Sequence, residues 1–199
     1  MKQFLPRLSY VLIISLVIFI LGCASTPKTP IPQSYTAHNI WYERPEKLYA
    51  INYKKGMMIP AGTEVKFIKT GFGRLSYLEF KTVSDNQLFR VYLEERFQPG
   101  LSIGTILARM FSKKTFEEQT KDFALEEVKA IREAKVIKGM SKEALIMSLG
   151  YPPKHMTPSL ERDYWQYWKN RFKSFAVEFD ENGLVSEDVD WVHIYELQN

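Results

Sequence analysis

Apolar and polar residues change their spacing several times along this chain, and each change predicts a different element. From Tyr10 to Leu21 the chain is continuously apolar behind a basic start at Lys2 and Arg7. Twelve residues at ~1.5 Å rise cover about 18 Å of helix, short of a hydrocarbon core of about 30 Å, so this run predicts a cleaved export signal, not a membrane span. From His38 to about Arg96 the period is two. Val65 and Phe67 alternate with Lys66, Leu78 and Phe80 with Glu79 and Lys81, and Phe89, Val91 and Leu93 with Arg90, Tyr92 and Glu94, as in strands with one dry face. Turn chemistry punctuates them at Lys55-Gly56, Pro60-Ala61-Gly62, Gly71-Phe72-Gly73 and Ser84-Asp85-Asn86. Strands are therefore expected near 48–54, 63–69, 74–83 and 88–96.

Beyond Pro99-Gly100 the period lengthens. Ser102 caps an expected helix carrying Ile103, Ile106, Leu107, Met110 and Phe111. Its apolar face points to a core, because the other face offers only Arg109, Lys113 and Lys114 to a membrane surface. Thr115 and Glu118 have the spacing of a capping box. Leu125, Val128, Ile131 and Ala134 predict an amphipathic helix; Gly139 breaks it, Ser141 opens another, and Gly150 with Pro152-Pro153 closes that one. Three strands should follow: Asp163 to Trp168, then Phe175, Val177 and Phe179 in alternation, then a turn at Asp180 to Gly183 and a return from Leu184-Val185 that resumes at Val189 to Tyr195. Two helices before three antiparallel strands predict an α+β sandwich, since nothing else in the segment covers the dry face of the strands.

The apolar run ends in Ile20-Leu21-Gly22-Cys23, which contains the chain's only cysteine. These four residues resemble the lipobox of bacterial lipoproteins. That resemblance implies cleavage between Gly22 and Cys23 and a diacylglyceryl group on the Cys23 sulfur. An ordinary secretory signal or a signal anchor, with a cysteine nearby by chance, is the alternative. A solitary cysteine leaves the mature chain no disulfide and no cysteine metal site, and lipidation gives the sulfur a use. Acyl chains contribute ~0.8 kcal/mol per buried methylene, and two or more hold a protein far better than one. Ala24 stands where an aspartate, in the enteric lipoprotein pattern, would favour the inner membrane, so the expected address is the outer membrane, facing the periplasm. Residues 23–37, the lipidated cysteine followed by a run rich in proline, serine and threonine, form an expected tether reaching about 40 Å at ~3.1 Å per residue. A loop packed on the fold is the alternative there.

Removing residues 1–22 takes away Lys2 and Arg7 and lowers the formal charge from +4 to +2, which gives no case for nucleic acid. The expected organisation is a signal at 1–22, the lipidated tether at 23–37, a strand-rich barrel-like domain with a helix at 38–115, and a second domain at 116–199.

Two resemblances bear on these domains. Asn52 to Val65, with Pro60-Ala61-Gly62-Thr63 as a turn, is similar to the opening of a bacterial barrel of the Src-homology-3 type. Some such barrels bind cell-wall peptide or protein ligands, and Trp41, Tyr42, Tyr49 and Tyr53 either line a groove of that kind or pack in the core. In the C-terminal part, Ile137 to Met140 followed by Ser141 and Glu143, then Leu149-Gly150-Tyr151-Pro152, then Trp165 with Tyr167, then Phe175 to Val185, resemble the SmpA/OmlA (BamE-like) family of outer-membrane lipoproteins. The resemblance implies a fold class: α+β, with a small antiparallel β-barrel or meander followed by a BamE-like two-helix, three-strand α/β sandwich. The strand-rich unit ahead of it departs from the family pattern, so an assembly role does not transfer with the fold.

No catalytic constellation emerges. His38, His155 and His193 are scattered, and the acidic Asp180, Glu181, Glu187, Asp188 and Asp190 lack the spacing of a calcium loop. No phosphate-cradling glycine loop or nucleophile elbow is present. No catalytic, cofactor-binding or metal-binding residue is expected. The expected function is therefore a lipid-anchored, periplasm-facing module that binds other envelope proteins in outer-membrane assembly or maintenance, with Tyr151, Trp165, Tyr167 and Trp168 as contacts. Its alternative is a lipoprotein that binds peptidoglycan or a small ligand; an enzyme built from scattered residues is the third reading.

Overall fold

Alternation puts Leu78 and Phe80 of one strand beside Phe89 and Val91 of the next, and in the computed structural model of the protein all four are buried on one face of a curled sheet. The structure describes residues 34–193. The expected export signal, Cys23, most of the expected tether and the end of the last expected strand at Tyr195 lie outside the described residues.

Eight strands precede the helical part: β1 (Ser34–Thr36), β2 (Ile40–Tyr42), β3 (Leu48–Tyr49), β4 (Met57–Ile59), β5 (Glu64–Gly71), β6 (Ser76–Thr82), β7 (Leu88–Leu93) and β8 (Phe111–Ser112). Six of them form one sheet in the order β3-β7-β6-β5-β1-β8, while β2 and β4 pair separately. Helix α1 (Ile103–Met110) packs on β6, with Ser102 as its cap accepting a hydrogen bond from the Thr105 N–H at 3.0 Å. Ile103, Ile106 and Met110 thereby close a core with Leu48, Val65, Leu78, Phe80, Phe89 and Val91.

The expected antiparallel barrel or meander does not form; the sheet is mixed and open. β3 enters from the loop after β2 and runs parallel to β7, with Leu48 opposite Val91 and Tyr49 opposite Tyr92. A strand was expected to continue to residue 54, but Asn52 takes φ 53° and its N–H donates to the Tyr49 carbonyl at 2.9 Å, so the chain turns after two residues. β1 occupies residues expected to belong to the tether. It needs little apolar content because it is inserted between β5 and β8, where Thr36 is fully buried and its hydroxyl donates to the Pro60 carbonyl at 2.6 Å.

The second expectation is overturned as well: the BamE-like sandwich of two helices and three strands is absent. Among the described residues three helices, α2 (Phe116–Thr120), α3 (Leu125–Arg132) and α4 (Lys142–Leu149), accompany only two strands, β9 (Tyr164–Asn170) and β10 (Lys173–Glu178). The turn after Asp180 forms, but the return strand is reduced to a single bridge from Phe179 to Val185. The reason lies in where the tail finds partners. Val185 accepts from Gly139 and donates to the Met140 carbonyl, Val189 donates to the Val136 carbonyl, and the Asp188 carboxylate accepts from the Lys138 N–H. The segment between α3 and α4 has thus claimed the backbone groups that a third strand would use.

A second core forms around Ile131, Met140, Leu145, Leu149, Trp165, Tyr167, Phe175 and Val177. The β2–β4 ribbon lies between this core and the first. Because strand side chains alternate, Ile40 and Ile59 join the sheet core while Trp41 and its cross-strand partner Met58 pack in the helical one.

Candidate functional site

Two polar assemblies are built from residues 38–55, one sealed and one open. In the sealed one, Asn39 donates through its side-chain amide to the carbonyls of Ile131 (2.7 Å) and Ser148 (2.9 Å) and accepts from the Ala61 N–H at 2.7 Å. Its backbone N–H donates to the Met147 carbonyl at 3.0 Å. Asn52 donates to the carbonyls of Leu149 (3.2 Å) and Asn39 (3.1 Å) and accepts from the Trp41 N–H. The last carbonyls of a helix have no partner inside it. Here three of them, at Met147, Ser148 and Leu149, are satisfied by two asparagines from the strand-rich half, and a fourth, at Gly150, accepts from the Tyr167 hydroxyl at 3.1 Å. Gly150 permits that approach. Its φ is +78°, and a Cβ there would lie 2.6 Å from the Asn52 amide nitrogen.

Two ionisable groups are sealed in the same seam. His38 lies buried with Nδ1 2.9 Å from the Asn39 carbonyl, and burial lowers its pKa to about 4. The Lys54 ammonium donates to the Asn52 carbonyl at 2.6 Å and lies over the rings of Trp41 (4.9 Å) and Tyr167 (5.3 Å); desolvation lowers its pKa to about 7.

The open assembly is a groove of about 510 Å³ lined by Tyr42, Arg44, Lys47, Tyr49, Tyr53 and the hairpin-tip pair Arg171 and Phe172, among others. A second hollow of about 620 Å³ shares Arg44, Lys47 and Tyr49 with it and continues past Arg74, Arg90, Tyr92 and Arg96. Strand pairing makes the floor: Tyr49 faces Tyr92 with ring centroids 6.2 Å apart, and Tyr77, which pairs with Tyr92 from the other side at 6.0 Å, lines neither hollow. Most carboxylates here are already engaged. Glu43 pairs with Lys55 at 2.8 Å, Glu46 with Arg44 at 3.6 Å, and Glu94 with Arg96 at 2.9 Å. Arg90 is held by the nearly buried Glu79 at 2.5 Å, from the adjoining strand. Lys47, Arg74 and Arg171 have no carboxylate partner among the described residues. The Tyr53 phenol is raised by burial and by the neighbouring Glu94.

The four aromatics that offered either a groove or a core divide between the two. Tyr42, Tyr49 and Tyr53 are half-buried groove walls; Trp41 lines the groove with one edge yet is buried in the helical core, edge-on to Trp191. The residues expected as partner contacts lie elsewhere. Trp165 and Tyr167 are buried, whereas Tyr151 stacks under Arg109 and Trp168 against His155, both half-buried. The Trp168 indole N–H is buried with no hydrogen-bond partner among the described residues. Arg44, Lys47, Arg171 and Phe172 were not foreseen. Their signal was present in Tyr42-Glu43-Arg44-Pro45-Glu46-Lys47 and in Asn170-Arg171-Phe172, where cations adjoin aromatics in stretches without strand alternation.

Cys23, the proposed lipidation site, is outside the described residues. Among the described residues no helix is long and apolar enough to cross a membrane, and no cluster of three or more His, Cys, Asp or Glu side chains is arranged to hold a metal ion. Comparison of the chain with protein-family models, curated proteins and solved structures found no match.

Proposed function

We propose that this protein is a lipid-anchored, periplasm-facing envelope protein that acts as a binding module, with the Tyr49-centred groove as its contact face. The observation that carries this reading is the continuity of the two hollows through Arg44, Lys47 and Tyr49. Tyrosine and arginine are the side chains that dominate interface energetics, because they combine large contact area with directional donors. The anchor rests on Ile20-Leu21-Gly22-Cys23, and the shared envelope address makes another envelope protein the partner class, in the assembly or maintenance of the outer membrane. A peptidoglycan ligand is the second reading, favoured by the aromatic floor alone.

Two measurements test this. A photo-crosslinker placed at Tyr49 in cells should give a discrete adduct that the same probe at the exposed Leu125 does not; identical patterns from the two sites would remove the contact face. A Cys23→Ala chain should be released from membranes with an unmodified N-terminus, and unchanged attachment would disprove the anchor.

A further inference from the structure

We infer that the groove takes an extended acidic polypeptide segment carrying apolar side chains between its carboxylates. This rests on the groove being the contact face, and goes further by naming the chemistry of the occupant. Three observations converge on it.

The first is charge. Arg44, Lys47, Arg74, Arg90, Arg96 and Arg171 border the two hollows, against Glu43, Glu46 and Glu94. Those three carboxylates are already in ion pairs, and the unpaired members are all cations: Lys47 near the middle, Arg171 at one end and Arg74 at the other. Complementary charge steers encounter and selects among partners even where it contributes little net affinity.

The second observation separates a peptide from a neutral saccharide. Sugar hydroxyls need acceptors as well as donors, and the charged side chains bordering this groove are mostly donors, with Glu43, Glu46 and Glu94 each already in an ion pair. A saccharide also lies flat on coplanar rings, whereas Tyr49 and Tyr92 are inclined by 42°. With centroids 6.2 Å apart the two rings touch each other and act as one half-buried apolar surface. An extended chain presents every second side chain to such a surface.

The third is the apolar rim. Phe172 is 77% exposed at the β9–β10 tip beside Arg171, and Phe72 is 80% exposed at the β5–β6 tip beside Gly73 and Arg74. At the groove, Phe172 offers an exposed ring with the Arg171 guanidinium over it at 4.3 Å, while Phe72 stands beyond the lining residues, two positions from Arg74. The pairing of ring and cation is the complement of a segment in which apolar and acidic side chains are mixed, and it is poorly matched by a uniformly charged polymer.

The test uses the full-length lipidated chain in detergent and two dye-labelled peptides, one alternating Glu and Tyr and one alternating Gln and Tyr, followed by fluorescence anisotropy. The Glu peptide should bind at least about tenfold more tightly than the Gln peptide, with the difference shrinking in high salt. An R44E/K47E chain should lose that binding, while a K113E/K114E chain, altered at exposed lysines outside the groove, should retain it. Equal binding of the two peptides, or equal loss in the two variants, would overturn the inference. If neither peptide binds but the Tyr49 crosslink persists, the contact face stands and the acidic occupant falls; if the crosslink is absent too, both fall. Binding of glycan strands stripped of their peptides, abolished by R44E/K47E, would reassign the groove to a saccharide.

Discussion

Within residues 38–55 the chain uses polar side chains in two opposite ways. The seam turns His38, Asn39, Asn52 and Lys54 inward and gives them partners inside the fold, three of them backbone carbonyls of the helical half, at Ile131, Ser148 and Leu149. The groove turns Arg44, Lys47, Tyr49 and Tyr53 outward and leaves Lys47 without a carboxylate partner among the described residues. Buried polar groups stabilise only when satisfied, whereas exposed cations cost little to leave unpaired. The contrast separates what holds this protein together from what is free to hold something else.

The sharpest way to break the seam is Asn39→Leu. It orphans the Ser148 carbonyl and the Ala61 N–H and leaves the Ile131 carbonyl only the Ala134 N–H, and should cost about 3–5 kcal/mol, read as a lower urea midpoint at unchanged slope. Acid should act on the same seam. The His38 pKa falls from 6.5 to about 4 on folding, so between those values the unfolded chain holds the extra proton, and stability present at neutral pH is lost as pH falls through that window. The loss should approach roughly 3 kcal/mol by pH 4, and His38→Leu should flatten it. Gly150→Ala places a Cβ at positive φ against Asn52 and should cost about 2–3 kcal/mol in the same urea assay.

Lys54→Met should have a smaller effect of opposite sign. Its folded pKa is depressed from 10.5 to about 7, so the wild-type chain gains stability as pH rises across that interval. Replacing the ammonium with a methionine should raise stability at pH 7 by about 1–2 kcal/mol and remove the alkaline rise. The groove should barely register in stability. R44E/K47E should change the unfolding free energy by no more than about 0.5 kcal/mol, and a larger change would mean that the groove, like the seam, is structural.

The sheet core was readable from the chain wherever a strand was long. Phe89, Val91 and Leu93 alternate and all three are buried, and Ser102, Thr115 and Ser141 cap the helices their spacing announces. What escaped has a physical pattern. β1, β2, β4 and β8 have two or three residues each, too few for a period to register, and they hold their places through partners distant in sequence. The third strand of the expected sandwich failed because competition for backbone donors is not written in local alternation: the Val136 to Met140 segment and the tail beyond Val185 pair with each other. The groove was half legible. Its tyrosines were in view as one of two readings, but its cations come from a turn and a hairpin tip whose proximity only the fold creates.

The position of β1 has a mechanical consequence. Any pull on the chain ahead of Ser34 enters the fold at a strand flanked on both sides, by β5 at Val65 and by β8 at Ser112. A strand at a free edge can be peeled away one bond after another. Here the load is divided between two neighbours and reinforced at Thr36, which is tied through its hydroxyl to Pro60 and through its main chain to Gly62 and Thr63. A short, polar and easily overlooked strand is thus the cleat at which tension from outside the fold is taken up.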